Sequence, residues 1–219
     1  AGAVAFSLVM TELGRGCAST AVTTSVTNMV AEVIQAVGSE YQKEKYIPPL
    51  CSGEYVAGSF GLTETSAGSD PAAIRMSAVA DGNDWVLNGR KIFITSAEFA
   101  DLFVIWGVTD KTARKGRGIS AFLVEPSFPG FWVGKDEKKL GQLASPTNEL
   151  ILENCRVPGE NLLGTINDGF RIAVAELAGG RIGIGSMALG IGLAAMDFAT
   201  SYARERIQFE VPIAHHQAI

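Results

Sequence analysis

The sequence has few of the residues that build disulfide frameworks or metal sites. Three of its 219 residues are cysteines, Cys17, Cys51 and Cys155, and two are histidines. An odd number of cysteines at such wide spacing makes neither a set of disulfides nor a cluster of zinc ligands. We therefore expect no metal site, and we expect a reducing compartment for this chain.

The sequence also lacks an excess of positive charge. Its formal net charge is −5 and its calculated pI is about 5.1. A chain with this charge has no general attraction for polyanions such as DNA or for an acidic membrane surface. Nucleic acid is therefore not an expected partner.

Long uninterrupted hydrophobic runs are scarce as well. The apolar stretch from Ala1 to Met10 has no basic leader and no cleavage site, and Glu12 and Arg15 interrupt it before it could span a membrane. It is interpreted as a buried helix, and no membrane span is expected. Apolar residues still make up 47% of the chain, which is enough for a substantial core in one large domain or two small ones.

The first 50 residues predict helices. Apolar residues recur at helical spacing from Val4 onwards, and a second helix is predicted from Ser19 to Ala36. Ser39 is placed to cap a third helix. The Pro48-Pro49 pair is expected to stop that helix.

After Pro49 the sequence changes to short runs of β-branched and aromatic residues, which predict a small antiparallel β domain. Asp81-Gly82 and Asn88-Gly89 predict hairpin turns. The four basic residues from Lys111 to Arg117 predict an exposed loop. The predicted strands are Tyr55–Leu62, Met76–Asp81, Trp85–Asn88, Lys91–Ile94, Leu102–Val108, Gly118–Val124, Trp132–Val133 and Glu149–Val157.

From about Asp168 to Arg206 the pattern is helical again. Gly and Ala are frequent between Ala178 and Ala195, and such small residues let another backbone or a ligand approach closely. A linker from Gln208 to Ile213 leads into the predicted first turn of another helix, His215–Ile219. Because the chain stops inside this predicted helix, we expect it to be a fragment.

Helices followed by strands and then by helices indicate an α+β fold. We assign residues 1–52 to the end of one helical domain, residues 53–165 to the β domain and residues 166–219 to the start of a second helical domain.

A loop of small residues follows the first predicted strand, from Phe60 to Asp70, with the sequence FGLTETSAGSD. Such a loop exposes backbone N–H groups and hydroxyls to an anion, and Gly68 lets backbone come close to it. An ordinary surface turn rich in Ser and Gly has the same composition. Neither a Walker loop nor a GxGxxG fingerprint is present.

Two further segments follow this loop. Asn88–Ser96 reads NGRKIFITS, and Tyr202–Phe209 reads YARERIQF with the pair His216-Gln217 behind it. In this order the three segments resemble the first flavin loop, the second flavin segment and the Arg-x-x-Phe element of acyl-CoA dehydrogenases. The resemblance covers essentially all 219 residues. It implies the acyl-CoA dehydrogenase-like fold, with the ends of the usual chain missing.

The resemblance implies an FAD cofactor. Thr63 and Thr95 would supply hydroxyls and backbone groups to the polar edge and N5 of the isoalloxazine, where negative charge develops on reduction. Phe93 would cover one face of the ring, and core packing is the alternative on residue type alone. The other cofactor-binding positions that the resemblance implies are Phe60, Gly61, Leu62, Gly68, Ser69, Ile94, Arg206, Gln208, His216 and Gln217.

The resemblance also implies sites for phosphate and for CoA. Ser69 would hold the pyrophosphate, and Arg206 would add a charge-assisted contact to a neighbouring subunit's flavin in a dimer or tetramer. A solvated surface charge is the alternative for Arg206. Ser69, the loop Lys111–Arg117 and Arg181 are the candidates for CoA. Arg181 stands in a helix with few charges, so we expect it to have a polar partner.

The acyl group would rest against the helical stretch from Ser19 to Glu32. Several threonines make that stretch more polar than the wall of a pocket for a long alkyl tail. The expected acyl group is therefore short, branched, cyclic or aromatic.

No catalytic residue is assigned. In most of the family the Glu that removes the α-proton lies in a Tyr-Glu-Gly-Thr element, which nothing in this chain resembles, and some members carry it at the position of Gly180. Glu176, one turn earlier, is interpreted as a helix-surface residue. Glu210 stands where the family usually has Gly, and its carboxylate would oppose a nearby phosphate.

The function implied is the oxidation of the α,β bond of an acyl-CoA thioester by FAD. An electron-transfer flavoprotein would accept the electrons. The protein would work as a homotetramer or dimer in the bacterial cytoplasm or the mitochondrial matrix. The alternatives are a non-catalytic subunit that binds flavin or CoA, and a relative that uses the same flavin site as an oxidase or monooxygenase.

Overall fold

The computed structural model describes residues 2–217. They belong to two compact units, one formed by Ala1–Val22 with Arg181–Ile219 and the other by Thr23–Gly180. The domain boundaries assigned from the sequence stay a prediction.

Three helices open the chain: α1 (Ala3–Gly16), α2 (Ala18–Val37) and α3 (Glu40–Ser52). The predicted cap at Ser39 is confirmed, because its hydroxyl accepts from the Gln42 N–H and the Gln42 side chain accepts from the Ser39 N–H. The prediction that Pro48-Pro49 stops α3 is wrong. Both prolines lie in the last turns, and the helix ends where Gly53 adopts a left-handed conformation, with φ 81°.

Eight strands form one sheet in the order β6-β7-β3-β2-β4-β5-β8, with β1 paired to β4. Most neighbours are antiparallel, but β1 and β2 each run parallel to β4, so the sheet is mixed. The hairpin at Asp81-Gly82 is confirmed by the pairing of Asp81 with Asp84. The strands are β1 (Ala57–Gly61), β2 (Ser77–Asp81), β3 (Asp84–Thr95), β4 (Ala100–Val108), β5 (Ile119–Val124), β6 (Phe131–Asp136), β7 (Thr147–Pro158) and β8 (Leu162–Leu163).

The hairpin predicted at Asn88-Gly89 is wrong. Both predicted strands around it belong to the single strand β3, which pairs with β2 on one side and β7 on the other. The register against β7 shifts between Leu87 and Gly89, and Gly89 has φ 149°. Asn-Gly therefore makes a bulge, because partners on both sides hold the chain extended through it. The register shifts again between Lys91 and Ile94.

Strand β4 is buried on both faces. Leu102, Val104 and Trp106 belong to one core cluster, with residues of α2, α3 and the start of the last helix. Phe103 and Ile105, which alternate with them, belong to a second cluster with β3, β5 and β7. Helices cover the first face of the sheet, and this explains why the β4 sequence is apolar without alternation.

The last helix, α4, runs from Gly169 to Glu205. The predicted close approach of another backbone to the small residues of α4 is confirmed within the unit that contains α1. A Cβ on Gly190 would lie 2.0 Å from the Thr11 carbonyl of α1. Arg15 also donates to Asp197 at 2.6 Å.

A short hairpin follows, from β9 (Ile207–Gln208) to β10 (Val211–Pro212), and then a 3-10 turn, Ile213–His215. The linker predicted from Gln208 to Ile213 therefore contains this hairpin. The predicted helical turn at His215–Ile219 lies partly outside the described residues.

By length and composition alone, α4 could cross a membrane. It contains an 18-residue window with mean hydropathy 1.6, of which 22% is buried. This is weak evidence, because core helices of soluble proteins pass the same test. The expected absence of a membrane span stays a prediction.

Candidate functional site

The segment from Phe60 to Leu62 is built into the core. The Phe60 ring packs on Trp106 at 4.3 Å between centroids, Gly61 is buried and Leu62 is 7% exposed. The Leu62 side chain is therefore turned into the core, whereas Phe60 is only partly buried. Thr63 is the first half-buried residue after them, and its carbonyl accepts from the Ile92 N–H at 3.0 Å.

The end of β3 presents an aromatic ring to solvent. Phe93 is 60% exposed and has φ 59°, a left-handed conformation that is rare for a large side chain. Ile94 beside it is buried, and Thr95 is half-buried with its carbonyl accepting from the Ser59 hydroxyl at 2.7 Å. Backbone strain of this kind persists only where the surrounding structure enforces it. The exposed Phe93 ring therefore does not fit the core-packing alternative.

Thr63 and Thr95 lie on neighbouring segments. One hydrogen bond ties Thr63 to Ile92, and another ties Ser59 to Thr95, so the β1 segment is fixed to β3 on either side of Phe93. The structure thus brings together the two threonines and the aromatic residue that the sequence singled out.

A buried ion pair lies behind Thr63. Lys91 is fully buried and donates to the Glu64 carboxylate at 2.8 Å, and this carboxylate also accepts from the Arg75 and Met76 N–H groups. Burial lowers the pKa of Lys91 to about 8, against the opposing effect of the Glu64 charge. Neither the burial nor the pairing of these two residues was predicted from the sequence. The only signal was that Glu64 and Lys91 stand inside the two flavin-like segments.

The small-residue loop is open to solvent. Gly68 and Ser69 are exposed, and no atom lies within 4 Å of a Cβ built on Gly68. Asp70 forms an ion pair with Lys115, which joins this loop to the basic loop. Two anion-binding candidates are therefore adjacent.

The basic loop borders a cavity of about 490 Å³ at the start of α4. Phe170 lies on its wall and was missed, because nothing in the sequence separates it from a core position. Arg171 is paired with Asp168. Lys111, Arg114 and Arg117 form no ion pair within residues 2–217. Arg117 lines this cavity, where its charge helps to lower the pKa of Asp168, whereas Lys111 and Arg114 line a second cavity. The lining residues are Lys115, Gly116, Arg117, Asn167, Asp168, Phe170, Arg171, Val174 and Ala175.

The polar face of α2 serves partly to attach the helix to the sheet. The Thr23 hydroxyl accepts from Ser96 at 3.2 Å and donates to Ser145 at 3.1 Å. Thr27 accepts from the Gly58 N–H at 3.2 Å. These hydrogen bonds give Thr23 and Thr27 a structural role, although both residues also line a cavity of about 310 Å³. The polarity of α2 alone is therefore weaker support for a short acyl group.

The interpretation of Glu176 as a helix-surface residue is wrong. The side chain is half-buried, and its Oε1 atom is buried without a hydrogen-bond partner within residues 2–217. Burial, with the nearby charge of Glu32, raises the pKa of Glu176 to about 7. At Gly180, one turn later, a Cβ would lie 3.1 Å from the Met29 sulfur, so α2 leaves little room for a side chain there.

This pKa predicts a pH-dependent stability. The folded-state pKa of about 7 lies above the ordinary value of 4.5. The contribution of Glu176 to the free energy of unfolding is therefore fully present below pH 4.5 and is lost as the pH rises through 7. Glu176→Gln should therefore raise the free energy of unfolding at pH 8 by about 1 kcal/mol, after discounting for partial solvent screening, and should leave it unchanged at pH 4.5. Urea unfolding at both pH values measures this. Glu44→Gln, at an exposed site on α3, is the control, and an equal pH slope in wild type and Glu176→Gln would contradict the assignment.

The remaining predicted residues lie in the unit that contains the chain end. Arg181 is exposed and forms no ion pair within residues 2–217, so the expected polar partner is not found there. Arg206 is also exposed. The Nε2 atom of His216 lies 3.3 Å from the Gln208 carbonyl oxygen, and Gln217 is exposed. Gln208 and His216 are thus neighbours on this hairpin.

The turn of this hairpin explains why glycine suits position 210. Phe209 and Glu210 have φ 52° and 67°, as a two-residue turn with both central residues left-handed requires. Glu210→Gly should remove backbone strain and raise the free energy of unfolding by about 1 kcal/mol. Thermal unfolding measures this. Glu210→Ala removes the same charge and keeps the strain, so an equal gain in that variant would show that charge is the cause.

Phe93 thus offers an exposed aromatic ring on the strand that carries Thr95 and is hydrogen-bonded to Thr63, and the exposed residues Gly68 and Ser69 follow Thr63 in the chain. Models of the acyl-CoA dehydrogenase N-terminal, middle and C-terminal domains match residues 1–54, 59–155 and 167–219. The chain belongs to the acyl-CoA dehydrogenase family. This confirms the α+β fold and the resemblance drawn from the three segments.

Individual relatives agree with this. The short-chain specific acyl-CoA dehydrogenase of Clostridium acetobutylicum is 47% identical over 94% of this chain and 54% of its own length. The structure of butyryl-CoA dehydrogenase from Megasphaera elsdenii superposes with a TM-score of 0.95 at 40% identity, covering 99% of this chain and 57% of that one. The structure of glutaryl-CoA dehydrogenase from Mycobacterium smegmatis in complex with FADH2 superposes with a TM-score of 0.91 at 35% identity, covering 99% of this chain and 54% of that one. The chain thus spans about half the length of the relatives it matches.

Proposed function

We propose that this protein is an FAD-dependent dehydrogenase of acyl-CoA thioesters. The observation that carries the proposal is the Phe93 ring, which is 60% exposed at a left-handed backbone position on the strand that carries Thr95 and is hydrogen-bonded to Thr63. A planar tricyclic ring lying on Phe93 would meet hydroxyl and backbone groups at its polar edge. Membership of the family and the relative that is named as a complex with FADH2 support the same cofactor.

The described residues fit FAD. Bound FAD would accept the hydride that leaves the β-carbon of the thioester. Thr63 and Thr95 would donate hydrogen bonds to the ring edge that gains negative charge, and Phe93 would cover one face and exclude water from it. Gly68 and Ser69 would approach the pyrophosphate with exposed N–H and hydroxyl groups.

CoA would bind at the basic loop and the start of α4. The cations of this loop that lack an ion pair would attract its phosphates, and Phe170 offers an apolar wall in the adjoining cavity. Ser69 and Arg181 remain the other candidates. The close packing of Met29 on Gly180 leaves little depth between α2 and α4, which supports a short acyl group.

The residue that removes the α-proton is not among those assigned. Gly180 has no side chain, and Glu176 lies one turn away with a buried, unpartnered oxygen. We therefore propose no catalytic base within this chain. Gly61, Leu62 and Ile94 would contribute backbone only, because the side chains of Leu62 and Ile94 are buried in the core. Phe60, which is partly buried, would contribute backbone and the exposed part of its ring.

The assembly proposed is a homodimer or homotetramer. Arg206, Gln208, His216 and Gln217 would contact the FAD of a neighbouring subunit, since they lie at least partly exposed on or beside the hairpin Ile207–Pro212. An electron-transfer flavoprotein would reoxidise the cofactor. Three free cysteines, two of them exposed, favour a reducing compartment such as the bacterial cytoplasm or the mitochondrial matrix.

Anaerobic titration with acyl-CoA thioesters of increasing length tests the function. Bleaching of the flavin absorbance by short thioesters, and not by long ones, is the expected result. Flavin that binds but is reduced by none of the thioesters would instead favour a non-catalytic subunit. Reduced flavin that reacts rapidly with oxygen in preference to an electron-transfer flavoprotein would favour an oxidase. The intact mass of the purified protein should be measured on the same sample, so that the length tested is known.

A further inference from the structure

A single buried side chain holds Thr63 from both directions. The Lys91 ammonium group donates to the Leu62 carbonyl at 3.1 Å and to the Glu64 carboxylate at 2.8 Å. Leu62 and Glu64 are the two neighbours of Thr63 in the chain. Lys91 therefore fixes the backbone immediately before Thr63 and the side chain immediately after it.

The next residue of β3 adds a third restraint. The Ile92 N–H donates to the Thr63 carbonyl at 3.0 Å. All three hydrogen bonds come from residues 91 and 92, directly before Phe93. The strand that presents the aromatic ring thus also sets the position of Thr63, and the two cannot shift independently without breaking buried hydrogen bonds.

Stability alone is a poor explanation for this ion pair. Lys91 is fully buried and Glu64 is 8% exposed, and removing two charges from water costs about as much as their attraction returns. Apolar residues of similar volume would often stabilise the core as well or better. What an apolar pair could not supply is a set of directed hydrogen bonds on both sides of one residue.

We propose that Lys91 is a positioning residue for the flavin. It holds Thr63 where its hydroxyl and backbone meet the ring edge that becomes negative on reduction. This inference rests on the proposed function, since it assumes that Thr63 contacts FAD.

The test compares Lys91→Met with Lys135→Met, which removes an exposed lysine from β6 of the same sheet. Lys91→Met should bind oxidised FAD about tenfold more weakly, the effect of losing roughly one hydrogen bond. It should bind reduced FAD more weakly still, and each further tenfold lowers the potential of the two-electron couple by about 30 mV. The flavin absorption spectrum should change in Lys91→Met only, and hydrogen exchange in the apoprotein should speed up across residues 62–64.

The double variant Lys91→Met with Glu64→Gln separates positioning from stability, because it leaves no unpaired buried charge. If it regains stability but keeps the weaker binding and the lower potential, the proposal stands, and the same holds if Lys91→Met alone fails to fold. A double variant, or a folded Lys91→Met, with the wild-type affinity, potential and spectrum would overturn it. If the wild-type protein itself binds no FAD, it is the proposed function that fails.

Discussion

Phe93→Gly should weaken the binding of FAD by roughly 30-fold or more and should leave the folded protein at least as stable as before. The ring of Phe93 is 60% exposed, so its removal deletes little packing. Its backbone has φ 59°, which glycine adopts without the strain that a larger residue suffers. Burial of an aromatic ring together with stacking is worth about 2–3 kcal/mol, and this would be lost from the complex.

Fluorescence titration with FAD and urea unfolding of the apoprotein measure the two effects. Phe99 provides a control, since it is 54% exposed in the turn that follows β3. Phe93→Ala and Phe99→Ala remove the same atoms from comparable surroundings, and only the first should affect FAD. A Phe93 variant that unfolds more easily and binds FAD normally would mean that the ring is a packing element.

Glu64→Ala is expected to lower the free energy of unfolding by about 3–5 kcal/mol, because it leaves the Lys91 ammonium group buried without its charged partner. The N–H groups of Arg75 and Met76 lose their acceptor in the same variant. Urea unfolding measures the loss. Glu149→Ala is the matched control in the same sheet, since its partner Arg90 is mostly exposed and such pairs contribute less than about 1 kcal/mol.

A combined Glu64→Leu and Lys91→Met variant extends this prediction. It removes both charges, and it should recover most of the stability lost in Glu64→Ala. If Glu64→Ala costs no more than Glu149→Ala, then Lys91 must find another partner or release its proton in the variant.

Much of the fold could be predicted because its signals are local. The cap at Ser39 needs only residues within one helical turn, and the turn at Asp81-Gly82 joins strands that are adjacent in the chain. The same kind of local signal gave the wrong prediction of a hairpin at Asn88-Gly89. There β2 and β7 hold the chain extended from both sides, and no local rule includes β7, which follows about 60 positions later in the chain.

The candidate site, too, could be predicted from the sequence only in part. The residues Thr63, Phe93 and Thr95 came from short segments with a recognisable order, and the structure brings them together. Glu176 was misinterpreted because its burial depends on α2, more than 130 positions earlier in the chain. The hydrogen bonds from Lys91 to Leu62 and Glu64 could not be predicted, since a lysine in an Asn-Gly-Arg-Lys segment is most often exposed.

The sequence by itself determined the order of the main helices and strands and the family, because these depend on residue type and on spacing along the chain, and the residues proposed to face the flavin were predicted in the same way. Tertiary structure alone decided which charges are buried, where β3 bulges and how Phe93 is held out of the sheet. Burial and hydrogen bonding depend on the partners that folding brings near, and Lys91 meets Glu64 across 27 positions of the chain.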